Sequence, residues 1–242
     1  MVRFFVPEAE LAGSFLVLTG ENAAHGKVLR LKAGDEVTVC DGMGTECRCT
    51  VSDMSPGQIS LVIHDRLASR SEARVQVRIF MAYPKGDKLE HVIQKATELG
   101  AAEILAFPSQ RCVSRPDARS LEKKLERWQR IAAAAAEQSG RGRIPRVSVL
   151  PSYAAALQAA AEADVPVLFY ENERARTLSA TLHGSYTTVS LMTGPEGGLT
   201  PEEVEQAQQA GLHICSLGAR ILRCETAPLC ALSAVMFAAG EF

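Results

Sequence analysis

Leu191-Met192-Thr193-Gly194-Pro195-Glu196-Gly197-Gly198-Leu199-Thr200, then Cys215-Ser216-Leu217-Gly218-Ala219-Arg220-Ile221-Leu222-Arg223-Cys224-Glu225-Thr226-Ala227-Pro228, is the stretch whose reading decides the fold. Val189, Leu191 and Met192 lead into the first loop, and Ile214 and Leu217 into the second. Each loop therefore follows a short apolar run and precedes a helical pattern. In α/β proteins, ligands sit where strands run out into such loops. Gly194, Gly197 and Gly198 let backbone N–H groups approach a ligand and permit positive φ. Thr200, Pro201 and Glu203 together predict a helix start: an N-cap, a proline at the first helical position, and an acid able to bond back.

Neither loop is a nucleotide phosphate loop. No lysine follows Gly197 or Gly198, and no Gly-x-Gly-x-x-Gly is present in the pair. Glu196 suits a cationic or hydrogen-bond-donating ligand better than a pyrophosphate. Taken singly, Gly-Pro-Glu-Gly-Gly could be only a tight turn. The second loop, with its own glycine and arginines, argues for a site built from both.

Outward from this pair, the chain of 242 residues is long enough for one large domain or two ordinary ones. A hydrophobic content of 47% supports a real core and excludes a disordered chain. The net charge of −2 means that any nucleic-acid surface must come from local clustering. Seven cysteines, none in Cys-x-x-Cys, with Cys47 and Cys49 at alternate positions, fit buried thiols in a reduced cytosolic setting. No metal site is expected. The N-terminus meets Pro7 and Glu8 before any adequate apolar run, so no signal peptide is expected. No stretch reaches the roughly 18 apolar residues of a membrane span.

Residues 1 to about 70 read as short strands: 35–40, 45–51 and 58–64, punctuated by Gly42, Gly44 and Ser55-Pro56-Gly57. Residues 21–29 form a helix between them. This spacing predicts a small β-barrel. The polar stretch 67–73 marks a boundary, giving domains 1–70 and 71–242. Val75, Val77 and Ile79 alternate as in a strand, and Leu89, Val92, Ile93, Ala96 and Leu99 share a helical face closed by Gly100. With a strand at 102–107, this is a parallel βαβ unit. Ser152 caps an alanine-rich helix, 166–170 is a buried strand, and 187–192 feeds the first glycine loop. The apolar helix 226–239 is fit to pack against a partner subunit.

Residues 111–146 carry ten basic and four acidic residues, +6, against −8 for the rest of the chain. Such polarity is what an RNA-facing surface on a near-neutral protein looks like. A solvated helix explains much of it too, because Leu121, Leu125, Trp128, Ala132 and Ala135 form a core stripe. Arg141 and Arg143 follow Gly140, are expected on a loop, and are read as RNA contacts.

The segments Met192–Gly198 and Leu217–Ala227 resemble the C-terminal signature of the RsmE methyltransferases. Cys224 stands where that signature more usually has Thr or Ala. Arg3-Phe4-Phe5, His25 with Leu29-Arg30-Leu31, Gly34-Asp35 and Asp41-Gly42 are similar to the family's PUA-like N-terminal domain. Lys85-Gly86-Asp87-Lys88, 94–100, Arg127-Trp128 and 137–141 also match. The resemblance spans nearly the whole chain. It implies a PUA-like β-barrel followed by a knotted SPOUT domain with a mostly parallel sheet, assembled as a homodimer with the active site at the interface. It further implies methylation of N3 of a uridine in 16S ribosomal RNA of the small subunit, with S-adenosylmethionine as cofactor.

On this basis Arg223 is the first candidate to stabilise the charge that spreads over the uracil, and Arg3 the second. Cofactor contacts are expected from Leu168, Glu171, Gly194, Glu196, Gly197, Gly198, Leu217, Gly218, Ile221, Leu222 and Thr226. RNA contacts are expected from Arg3, Arg30, Lys85, Arg111, Arg141 and Arg143. The proton acceptor stays open between Glu196 and bulk water, since no histidine lies in the loops. Two other readings remain: another SPOUT enzyme acting on tRNA or a ribose 2′-OH, and a non-catalytic RNA-binding protein.

Overall fold

The computed structural model describes residues 2–242. The chain divides into two units, Met1–Glu72 with Ala136–Ile144, and Ala73–Ala135 with Pro145–Phe242.

The first unit contains β1 (Val2–Phe5), a 3-10 turn (Glu8–Ala12), β2 (Phe15–Thr19), α1 (Gly20–Val28), β3 (Glu36–Cys40), β4 (Thr45–Ser55) and β5 (Gln58–Ala68). The sheet order is β1-β3-β4-β5-β2. β1 runs parallel to β3, and the other pairs are antiparallel. β1 and β2 are its two edges, so the sheet is a curled half-barrel rather than a closed ladder. Alternation explains the core: Val37, Val39, Cys47, Cys49, Val51, Ile59 and Leu61 face inward around Phe4 and Leu18. β4 and β5 run longer than the sequence suggests, because the far end of each pairs with the near end of the other: 53–55 with 58–60, and 65–68 with 45–48.

The sequence boundary at 70/71 left residues 136–144 in the later domain, whereas the structure groups them with the first unit. Glu72 explains the return. Its carboxylate accepts hydrogen bonds from Arg141 Nη2 at 2.6 Å and from the backbone N–H groups of Gly142 and Arg143 at 3.0 Å each. Gly42 O accepts from Ile144 N at 3.0 Å.

The second unit is built from β6 (Gln76–Ala82), α2 (Lys88–Glu98), β7 (Glu103–Phe107), α3 (Ala118–Ser139), β8 (Arg146–Val149), α4 (Tyr153–Ala161), β9 (Val165–Phe169), β10 (Thr188–Thr193), α5 (Pro201–Gln209), β11 (His213–Cys215) and α6 (Thr226–Ala238). The last turn of α3 falls in the first unit. The sheet order is β11-β9-β10-β6-β7-β8, and every pairing is parallel. A parallel sheet is covered on both faces, so its central strands read as unbroken apolar runs. All five residues of β9 are buried, and β10 is buried from Val189 to Thr193.

The chain winds outward from β6 through β7 to β8, then crosses back to lay β9, β10 and β11 on the other side of β6. The winding reverses between β6 and β10, which opens a crevice at the carboxyl ends of the strands. Both glycine loops leave from there. Trp128 is 5% exposed and belongs to the core, as its position on the stripe of α3 suggests. Among the described residues, no helix is long and apolar enough to cross a membrane.

Candidate functional site

Three loops meet at the carboxyl ends of β9, β10 and β11 and enclose a cavity of about 430 Å³. That size lies within the ~300–1,000 Å³ usual for small-molecule sites.

The first loop, after β10, is held from several sides. Thr200 Oγ1 accepts from Glu203 N at 3.2 Å, and Glu203 Oε2 accepts from Thr200 N at 2.9 Å, completing the capping box that begins α5. Buried Glu203 also accepts from Gln110 N at 2.8 Å. Arg111 Nη1 donates to Gly197 O at 2.9 Å and to Leu199 O at 3.3 Å. Gly198 has φ +67°, and a Cβ there would lie 2.3 Å from Glu171 Oε1, so only glycine fits without a shift.

Glu196 accepts from Lys85 N at 3.0 Å and from Lys88 Nζ at 2.9 Å. Partial burial pushes its carboxyl up, but the bonds from Lys88 and the Lys85 backbone together outweigh this and hold it at about 2. So low a value makes a poor proton acceptor near neutrality. Of the two acceptors left open by the sequence, this disfavours Glu196.

The second loop leaves β11 at Cys215, and Leu217 lies in the loop rather than in the strand leading to it. β11 is short because Ser216 turns the chain: its Oγ accepts from Gly218 N at 3.1 Å, and its N–H donates to Arg176 O at 2.8 Å. Gly218 has φ +101°, a backbone that L residues rarely adopt. Arg223 O accepts from Thr226 N and Ala227 N at 2.9 and 3.0 Å, which starts α6. The Arg223 side chain is exposed on the cavity wall and makes no ion pair among the described residues.

The cavity brings together Glu171, Gly194, Glu196, Gly197, Gly198, Leu217, Gly218, Ile221, Leu222 and Arg223, as the sequence suggests. Two expected residues stay off its wall. Leu168 is fully buried and points into the apolar core, while Phe169 and Tyr170, the next residues along, face the cavity. Thr226 starts α6 with its neighbours Cys224 and Ala227 on the wall instead. Sequence reasoning missed Lys88, Arg174, Thr193 and Arg220 as lining residues. Arg220 was legible in the motif beside Arg223, whereas Lys88, though in a segment that resembles the family, is distant in sequence from both loops and nothing there pointed to the cavity.

Thr193 supplies the sharpest test of what fits. It lines the cavity, and its Oγ1 is buried with no hydrogen-bond partner among the described residues. An unpaired buried hydroxyl is costly unless a ligand satisfies it. With glycine backbone on one side, Leu217 and Leu222 on another and the Glu171 carboxylate close by, the walls suit a flat heteroaromatic ligand with polar arms.

The expected RNA contacts divide. Arg30, Lys85 and Arg143 are exposed. Arg3 donates to Glu46 at 3.0 Å and to Cys40 Sγ at 2.7 Å, with its side chain 13% exposed. Arg111 is exposed too, and its Nη1 holds the first loop. Arg141, expected on an open loop, is buried against Glu72 and is a structural residue. Glycine before it signalled exposure, but the acid that buries it lies 69 residues earlier.

An RNA methyltransferase domain model matches residues 71–236, and an RNA methyltransferase PUA domain model matches residues 18–63. Ribosomal RNA small subunit methyltransferase E of Bacillus subtilis is 38% identical over 250 aligned positions, covering 98% of this chain and 96% of that protein. The chain belongs to the ribosomal RNA small subunit methyltransferase E family. A member from Mycobacterium tuberculosis is 35% identical over 96% of this chain and 90% of its own. Among solved structures, the family's enzyme from Neisseria gonorrhoeae bound to S-adenosyl methionine superposes with a TM-score of 0.85 at 32% identity, covering 98% of each chain. A putative methyltransferase from Legionella pneumophila, in complex with the same cofactor, gives 0.86 at 29% identity over 98% of this chain and 97% of that one. The two segments that resemble the RsmE signature supply two of the three loops that enclose the cavity.

Proposed function

We propose that this chain uses S-adenosylmethionine to methylate N3 of a uridine in 16S ribosomal RNA of the small subunit. The observation that carries the reading is one cavity walled by both glycine loops, with the Arg223 guanidinium uncommitted on its rim, in a chain of the RsmE family.

The cofactor supplies a methyl group on a sulfonium sulfur, activated for transfer to nitrogen. The residues present fit it. Leu217, Ile221 and Leu222 offer apolar surface to the adenine, the first loop offers backbone groups, and Thr193 Oγ1 and the Glu171 carboxylate offer polar partners. Uracil N3 carries a proton and becomes nucleophilic once that proton leaves. The resulting negative charge spreads over N3 and two flanking oxygens. Arg223 answers this charge with a permanently cationic, planar pair of donors. Arg3 would have to leave Glu46 to share that role. With the Glu196 carboxyl held at about 2, bulk water is the proton acceptor of this reading.

The reading includes RNA contacts from Arg30, Lys85 and Arg143, a threaded C-terminal segment and a homodimer. An apolar outer face on α6 supports the dimer: Phe237 is 75% exposed, and Ile221 on the adjoining loop 77%. Seven free cysteines support a reducing cytoplasmic location.

The test uses labelled cofactor with small ribosomal subunits, naked ribosomal RNA and tRNA, followed by digestion and identification of the modified nucleoside. 3-Methyluridine from ribosomal RNA is expected. A ribose-methylated or tRNA product would replace this reading with another.

A further inference from the structure

Lys88 opens α2 and reaches both loops of the cavity. Its Nζ lies 2.9 Å from Glu196 Oε1 in the first loop and 3.5 Å from Glu225 Oε2 at the end of the second. Cys224 Sγ is 3.9 Å away. Lys88 and Glu196 both line the cavity. One ammonium therefore pairs with carboxylates from two loops: Glu196 on the wall where the cofactor is read to sit, and Glu225 just off it. The other cations on that wall, Arg174, Arg220 and Arg223, are exposed, where solvent screens them more.

The cofactor and its spent form differ by one methyl group and one unit of charge. The first is a sulfonium cation and the second a neutral thioether, while adenine, ribose and amino-acid arms are common to both. A fixed charge near the cavity acts on the shared parts equally and drops out of the ratio of the two affinities. What survives in the ratio is its effect on the sulfonium. Glu196 favours the cation, and Lys88 opposes it.

We propose that Lys88 is a specificity-determining residue that sets the balance between sulfonium cofactor and thioether product by offsetting the charge of Glu196 at the cavity wall and of Glu225 beside it. The inference rests on reading this cavity as the S-adenosylmethionine site. A bare Glu196 would favour the cation more strongly, and a bare Lys88 would favour the spent product and slow its exchange. The Lys88–Glu196 pair carries no net charge of its own, so that discrimination is moderate and the product can leave.

Calorimetric titration of the full chain with S-adenosylmethionine and with S-adenosylhomocysteine gives the ratio of product Kd to cofactor Kd. Lys88→Met should raise that ratio roughly three- to tenfold, and Glu196→Gln should lower it by a similar factor. Lys88→Arg, which keeps the charge, should leave it within about twofold. General damage to the loops weakens both ligands together and leaves the ratio unmoved. Opposite shifts in the two neutral variants therefore support a charge role, whereas shifts in the same direction, or none, overturn it. Glu196→Gln decides the matter by itself if Lys88→Met does not fold. If wild type binds neither ligand, the site reading itself fails and takes this inference with it.

Discussion

Arg141 donates to Glu72 across 2.6 Å, and both side chains are largely buried, at 5% and 15% exposure. Glu72 also accepts two backbone N–H groups, so it anchors the whole turn 141–143. Removing one partner of a buried pair leaves the other uncompensated and costs roughly 3 kcal/mol. Arg141→Ala should lower the urea midpoint accordingly, and Glu72→Ala, which strands three donors, at least as much. Neither should change the salt slope of RNA binding measured on the folded fraction. A flattened slope with unchanged stability would return Arg141 to the RNA surface.

The sequence made the site's architecture legible and its wiring much less so. The capping box at Thr200 and Glu203 is local chemistry within four residues, and it forms as the spacing suggests. The apolar runs of β9 and β10 reveal a buried parallel sheet for the same reason. Arg141, Arg111 and Lys88 are different, because each is defined by a partner 69 to 108 residues away. No periodicity encodes such a pairing, and charge counting treats all three as free surface cations. Leu168 lies off the cavity wall for a subtler reason. On a strand, neighbouring residues face opposite ways, so a one-residue error moves a side chain from the cavity to the core.

Arg111→Ala removes the guanidinium that holds Gly197 O and Leu199 O. The loop would keep its capping box but lose its outer tether. Cofactor Kd should rise on the order of tenfold, from the loss of two charge-assisted hydrogen bonds. RNA affinity should hold its salt slope. Titration calorimetry checks the first expectation and salt-dependent RNA binding the second, and a changed slope with unchanged cofactor Kd would reverse the assignment.

Glu196 has its carboxyl at about 2 in the folded chain, against an ordinary value of 4.5. A depressed folded value contributes stability that is fully present above 4.5 and disappears as pH falls toward 2. Wild type should therefore lose stability relative to Glu196→Gln across that window, on the order of 1–2 kcal/mol after discounting for partial exposure. Denaturant unfolding of both proteins at several acid pH values measures the difference. Parallel curves would mean that the bonds from Lys88 and Lys85 N are not kept in solution.

Gly198→Ala tests whether the first loop needs its backbone shape or only its space. At φ +67° an alanine costs about 1–2 kcal/mol, and its Cβ would lie 2.3 Å from Glu171 Oε1. The single variant should weaken cofactor binding at least about tenfold, consistent with that strain alone. Glu171→Ala in the same chain removes the clash and leaves the strain. Because Glu171 also lines the cavity, recovery is read from the urea midpoint against the Glu171→Ala single variant rather than from cofactor affinity. Partial recovery in the double variant is expected if the carboxylate is the obstacle; no recovery would assign the whole effect to φ.

Arg223→Ala addresses the chemistry directly. The guanidinium has no ion-pair partner to release among the described residues, and its backbone O already fixes the start of α6 through Thr226 and Ala227. Truncation should therefore leave the fold and the cavity intact. An interaction that strengthens only as charge develops on the base lowers turnover without weakening the ground state. Turnover should fall about 10²–10³-fold, the range seen when one donor to a developing oxyanion is removed. Cofactor Kd should stay within about twofold, as expected when no ground-state contact is lost. Arg223→Lys restores charge without the two parallel donors and should recover only part of the rate. Single-turnover kinetics alongside calorimetry separates the two effects. A variant that loses cofactor affinity in proportion to rate would make Arg223 a binding residue instead.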